Sequence, residues 1–167
     1  MYIGKIHNDI DVSSEYDKLA KKDEEVARLL MKNAQYRHSI YFFIQSMEKL
    51  IRSKIFTLVN PNIEYFRKKN QNHSLNNAIE FLIEIISSDV TIQEQVKKYI
   101  NFHVFEDINF QRLHNNLRYP FFSERYGTYS RLEFGENDCK IVEKKLGELK
   151  RYINELNRLG YVKENSC

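Results

Sequence analysis

Cysteine, proline and glycine are scarce in this chain of 167 residues, at two, two and five copies. Cys139 and Cys167 stand far apart in sequence. They offer neither a disulfide framework nor the paired spacing of a metal site, and they fit a reducing cytoplasm. No metal and no cofactor are therefore expected. The few glycines form no phosphate-cradling loop and no nucleophile elbow, and no glycine-containing strand of the nucleotidyltransferase kind is present. A run of about 18 apolar residues is missing, so no membrane-crossing helix is expected. The start, "MYIGKIHNDIDVSS", lacks the apolar stretch of a signal peptide. Charge of one sign is also missing. With 26 basic and 23 acidic residues the net charge is +3, too even to argue for nucleic-acid binding by itself.

What is present is a balanced composition, 42% hydrophobic and 29% charged, which reads as one soluble, cytoplasmic domain over 1–167. With so few helix breakers, long segments run uninterrupted and favour helices. Ser13 and Ser14 are positioned to cap a helix whose inner face carries Tyr16, Leu19, Val26 and Leu30, which leaves 1–13 as an N-terminal extension. The next segment places Ile40, Phe43, Ile44, Met47, Leu50, Ile51, Ile55 and Leu58 at helical spacing. A helix from Tyr36 to about Val59 follows, ended by Asn60-Pro61-Asn62. Tyr41, Gln45, Glu48 and Arg52 share a second, polar face of it, with Glu48 four residues before Arg52 in the favourable order for an ion pair.

"EYFRKKNQNH" reads as a polar connection. Ser74 caps a helix burying Leu75, Ile79, Leu82 and Ile86. Thr91 and Glu94 match a capping box before a helix with Val96, Ile100, Val104 and Ile108 inward. The stretch 118–137 keeps no period and reads as an aromatic-rich loop region, with room for a short extended piece. A last helix starts at Asn137 or Asp138, buries Val142, Leu146, Leu149, Ile153 and Leu156, and reaches a C-terminal cap at Gly160. The fold expected is all-α, an up-and-down antiparallel helical bundle.

The segment "DEEVARLLMKNAQYRHSIYFFIQSMEKLIRSKIF", with Asp23, Ala27, Leu29, Leu30, Tyr36, Gln45, Glu48 and Lys49 in its key places, resembles the HEPN family (higher eukaryotes and prokaryotes nucleotide-binding). "HSLNNAIEFL" and "LRYP" resemble two further elements of that family, so the likeness runs from Asp23 to Pro120. It implies a HEPN-like bundle that often forms homodimers and belongs to prokaryotic stress or defence systems such as toxin–antitoxin or abortive-infection pairs. Some members are metal-independent endoribonucleases. Others bind RNA, a nucleotide or a protein without catalysis, and some pair with a nucleotidyltransferase or an antitoxin.

Active members carry an arginine followed four to six residues later by a histidine. Histidine moves protons at the ribose 2′-OH and the leaving oxygen, while arginine forks onto the phosphate. Only Arg67 and His73 fit that spacing, and they lie earlier than the family places its pair. The later region offers Arg112, His114 and Arg118 as a composite site. Degeneracy of the motif favours a non-catalytic binding module, with the endoribonuclease toxin as the rival reading. The expected binding groove combines Gln45, Glu48 and Lys49 with His73, Arg118 and Tyr119, with Glu48 paired to Arg118. Tyr119, Phe121, Phe122, Tyr126 and Tyr129 are placed either to stack on bases or to pack as a loop or dimer surface.

Overall fold

The computed structural model describes residues 3–106 and 108–164, and for 157–164 the backbone alone. Cys167 lies outside the described residues. Seven α-helices account for most of the chain: α1 Val12–Lys32, α2 Tyr36–Leu58, α3 Glu64–Asn70, α4 Leu75–Ile86, α5 Val90–Tyr99, α6 Phe110–Arg118 and α7 Glu136–Glu164. A π-helical turn, Ile100–Val104, continues α5, and a two-stranded hairpin, β1 Phe121–Ser123 and β2 Thr128–Ser130, separates α6 from α7. The architecture is an all-α bundle centred on α2, against which α1, α4, α6 and α7 pack. None of the described helices is long and apolar enough to cross a membrane.

α2 is central because its apolar stripe is wide. Ile40, Phe43, Ile44, Met47, Ile51 and Ile55 are all buried. Leu50 is half-buried, and Leu58 at the helix end is exposed. The inner face of α1 differs from the expected one. Leu19 and Val26 are exposed, and Ala20 and Ala27 are buried instead. The reason is a seven-residue repeat of small side chains on both helices. Ser39 Oγ donates to the Ala27 carbonyl at 2.8 Å and Ser46 Oγ to the Ala20 carbonyl at 2.8 Å. Ser13 Oγ donates to the Ser53 carbonyl at 3.0 Å, and Ser53 Oγ returns a bond to the Ser13 carbonyl at 2.9 Å. Residues 13, 20 and 27 thus meet 53, 46 and 39 in strict antiparallel register. A seven-residue period keeps one seam facing the partner helix, and small seam residues let the two backbones approach until hydroxyls reach carbonyls.

α7 closes the bundle with Val142, Leu146, Leu149 and Ile153 buried. Ion pairs Arg28–Glu143 and Lys150–Glu24 run it antiparallel to α1. Lys145, fully buried, holds Glu106 and Glu148 at 2.7 Å each. Burial opposes its charge, but those two hydrogen bonds outweigh it and raise its pKa.

Several boundaries differ from the sequence reading. Asp11, not Ser13 or Ser14, caps α1 by accepting from Ser14 N, so the extension ends at Asp11. "EYFRKKN" is helix α3 rather than connection. Asp89 caps α5 by accepting from Thr91 N and Ile92 N, displacing the box expected at Thr91 and Glu94. α6 runs through Arg118 and α7 begins at Glu136, which trims the loop region at both ends. α7 continues past Gly160 to Glu164, so Gly160 is no cap. Within the loop, the hairpin pairs Phe121 with Ser130, Phe122 with Tyr129 and Ser123 with Thr128.

Candidate functional site

The polar face of α2 is not solvated. Glu48 is 5% exposed and Arg52 1%, because the α3–α4 connection lies over them. Arg52 draws it there. Its Nε donates to Glu48 Oε1 at 3.0 Å, Nη1 to the Asn70 carbonyl at 3.2 Å and Asn70 Oδ1 at 2.5 Å, and Nη2 to the Asn72 carbonyl at 2.7 Å. Asn70 Nδ2 in turn donates to Tyr16 Oη at 2.8 Å. A planar fork can satisfy several carbonyls at once, so one arginine fastens 70–72 to α2 and to α1. This places His73 over the helix, with Nδ1 3.5 Å from Glu48 Oε1. The imidazole itself is largely exposed.

α6 supplies the other wall. Asn109 caps it by accepting from Arg112 N at 2.9 Å, and Phe110 and Leu117 anchor it in the core. His114 and Arg118 lie one turn apart and share a face. The His114 ring stacks on Tyr41, centroids 5.6 Å apart and 16° from parallel. Its Nε2 lies 3.4 Å from Gln45 Nε2. An amide nitrogen only donates, so in this orientation the Gln45 amide suits an unprotonated His114 Nε2. Its pKa is correspondingly lowered from 6.5, first by burial and then by the Arg118 charge, with Glu48 opposing.

Pairwise contacts therefore join Glu48 to His73, Gln45 to His114 and Arg118 to Tyr119 across α2, α6 and the segment after α3. A buried carboxylate acts on both histidines, and an arginine stands one turn from His114. Three expected members lie elsewhere. Lys49 turns toward α1 and pairs with Asp23. Arg112 is exposed, and two residues before His114 it projects from another side of α6. Arg67 is exposed on α3, and no hydrogen bond or ion pair joins it to His73 among the described residues.

The expected Glu48–Arg118 pair is also not formed: Glu48 is taken by Arg52, one helical turn away. Arg118 instead donates to Tyr119 Oη at 3.0 Å and lies over that ring, 5.0 Å from its centroid. Among the described residues its guanidinium meets no carboxylate.

Two residues that sequence reasoning did not assign to the site now matter. Tyr41 is the stacking partner of His114, and its place four before Gln45 on the polar face was the available signal. Arg37 had none. Its Nη1 donates to the Asn116 and Leu117 carbonyls at 3.2 and 2.8 Å, and its Nη2 to the Leu132 carbonyl. One side chain thereby clamps the end of α6 to the irregular segment that follows the hairpin. Among the described residues no three His, Cys, Asp or Glu side chains converge as a metal site would require.

No protein-family model, no curated protein and no solved structure matches this chain.

Proposed function

We propose that α2, α6 and the 70–74 segment form a groove that binds RNA, and that the protein is a non-catalytic binding module of a prokaryotic stress or defence system. The observation that carries this reading is the contrast among three arginines. Arg37 and Arg52 are engaged by backbone carbonyls, whereas Arg118 stands exposed with no carboxylate beside it among the described residues. A guanidinium in that condition is available for bidentate contact with a phosphate. The sequence resemblance to HEPN proteins supports the same assignment. It also supports a homodimer, for which α1 offers the exposed residues Leu19, Val26 and Leu29, and pairing with a nucleotidyltransferase or antitoxin protein.

One observation favours a second reading, the metal-independent endoribonuclease. Half-buried His114, its pKa lowered by burial, and exposed His73 both lie near Glu48. In that case one imidazole accepts the 2′-OH proton as the 2′-oxygen attacks phosphorus. The other protonates the departing 5′-oxygen as the P–O5′ bond breaks, leaving a 2′,3′-cyclic phosphate and a 5′-hydroxyl. Arg118 would hold the charge developing on the phosphoryl oxygens.

Incubating the purified protein with labelled RNA in EDTA separates the two. Retention of intact RNA, weakened in Arg118→Ala, is the expected result. Cleavage that survives chelation and disappears in His114→Ala or His73→Ala replaces the first reading with the second. Absence of any binding defeats both.

A further inference from the structure

The hairpin that follows Arg118 has a two-sided character that the bundle does not need. Its inner face, Phe121, Ser123 and Ser130, is half-buried. Its outer face carries Phe122 and Tyr129, directly paired across the strands and in edge contact at 5.6 Å, with exposures of 49% and 74%. The base and the turn of the hairpin each add an arginine lying over an exposed tyrosine ring. Arg118 sits 5.0 Å from the Tyr119 centroid, and Arg125 sits 5.4 Å from that of Tyr126.

Four exposed aromatic rings within eleven residues are not explained by stability. Burial of such rings is what normally contributes, and these are left in water. The base of the hairpin is nevertheless fixed, because Arg37 ties the Leu117 and Leu132 carbonyls together. A glycine at the turn, Gly127 with φ +60°, permits the tight reversal that presents the tip. The result is an arm tied at its base, with an aromatic outer surface that continues from Arg118 and Tyr119 at the end of α6.

We propose that this arm is a stacking platform for unpaired bases, so that the RNA taken by the groove is single-stranded. The proposal rests on the RNA reading above. Two features select this occupant over a protein. The arm from 118 to 131 holds three arginines against one glutamate; Arg131 pairs with Glu133, and the other two, Arg118 and Arg125, suit a phosphate backbone. Two of its three tyrosines, Tyr119 and Tyr126, are also already paired with cations in the way that base-stacking surfaces combine ring and charge. Duplex RNA hides its base faces and would gain only the charge.

The test uses fluorescence anisotropy with labelled oligouridine of about twelve nucleotides, competed by a duplex of the same length. Replacing Phe122 and Tyr129 together by leucine keeps apolar bulk on the exposed face and removes the π surfaces. Phe122→Leu with Tyr129→Leu should weaken oligouridine binding by at least about tenfold, the contribution of a single stacked base. Tyr129→Phe should bind as the wild type does, and circular dichroism should show all variants folded alike. Equal binding by the leucine variant and the wild type overturns the platform and leaves the RNA reading standing. Failure of the wild type to bind any RNA overturns both. A leucine variant that changes oligomeric state in light scattering without changing RNA affinity overturns the proposal in favour of a protein contact. So does a duplex that competes as well as the single strand.

Discussion

Substituting Arg52 by alanine should be among the most damaging single changes on the polar face of α2. The side chain is 1% exposed and makes four hydrogen bonds, to Glu48, twice to Asn70 and once to Asn72. Its removal leaves the Glu48 carboxylate, itself nearly buried, without its main counter-charge. It also releases the connection that holds His73. Breaking a buried pair by deleting one partner costs about 3–5 kcal/mol. In a chain of this size each kcal/mol lowers Tm by about 2–4 °C, so Arg52→Ala should lower Tm by roughly 6–20 °C.

Because the damage comes largely from the stranded carboxylate, Glu48→Ala in the Arg52→Ala background should restore part of the loss, with a coupling of about 0.5–3 kcal/mol. Glu48→Ala with Arg118→Ala should instead be close to additive, since no hydrogen bond or ion pair joins those two side chains. Urea and thermal unfolding followed by circular dichroism at 222 nm read all of these. A loss below about 1 kcal/mol for Arg52→Ala, or an additive Glu48–Arg52 cycle, would refute the assignment of Arg52 as the tether.

Three further outcomes follow from the same geometry. The folded pKa of His114 lies below 6.5, so the unfolded chain takes up that proton first. The contribution is fully present above pH 6.5 and is lost as pH falls through the folded value. Urea midpoints measured across that window should fall more steeply with acid for the wild type than for His114→Gln. Arg37→Ala frees both ends of the hairpin, and limited proteolysis within 124–127 should accelerate several-fold while the helical signal of the bundle persists. Ala20→Leu places a branched side chain in the seam where Ser46 Oγ reaches the Ala20 carbonyl; overpacking of that kind should destabilise by about 1–3 kcal/mol, measured by urea denaturation.

Helices with a strong apolar stripe were legible in the sequence, and for a physical reason. α2 ends within one residue of its expected limit, since period and breaker agree there. The stripes of α4 and α7 were legible for the same reason. The inner face of α1 was misread because its contact surface is built from Ser13, Ala20 and Ala27, which carry almost no hydropathy signal. The seven-residue spacing shared with Ser39, Ser46 and Ser53 was the clue available. α3 was missed because it is short and polar, and it is held through its last residue, Asn70, by Arg52.

At the candidate site, the Glu48–Arg52 pair was readable, since both members lie on one helix at a fixed spacing. The roles of Arg37, Arg52 and Arg118 were not, because which arginine meets which carbonyl is decided by tertiary packing between residues up to 95 positions apart. The structure brings Glu48 against His73 and Gln45 against His114; Lys49 pairs with Asp23 instead, and Arg67 and Arg112 are exposed with no bond to either histidine among the described residues.

Histidine side-chain NMR during titration with oligouridine in EDTA tests the groove most directly. The chain has five histidines: His7, His38, His73, His103 and His114. The ring resonances of His73 and His114 should move together and saturate at one ligand concentration, while those of His7, His38 and His103 stay in place. Titration shifts confined to the other three histidines, or no shift at any of the five, would contradict the assignment of this groove as the RNA site.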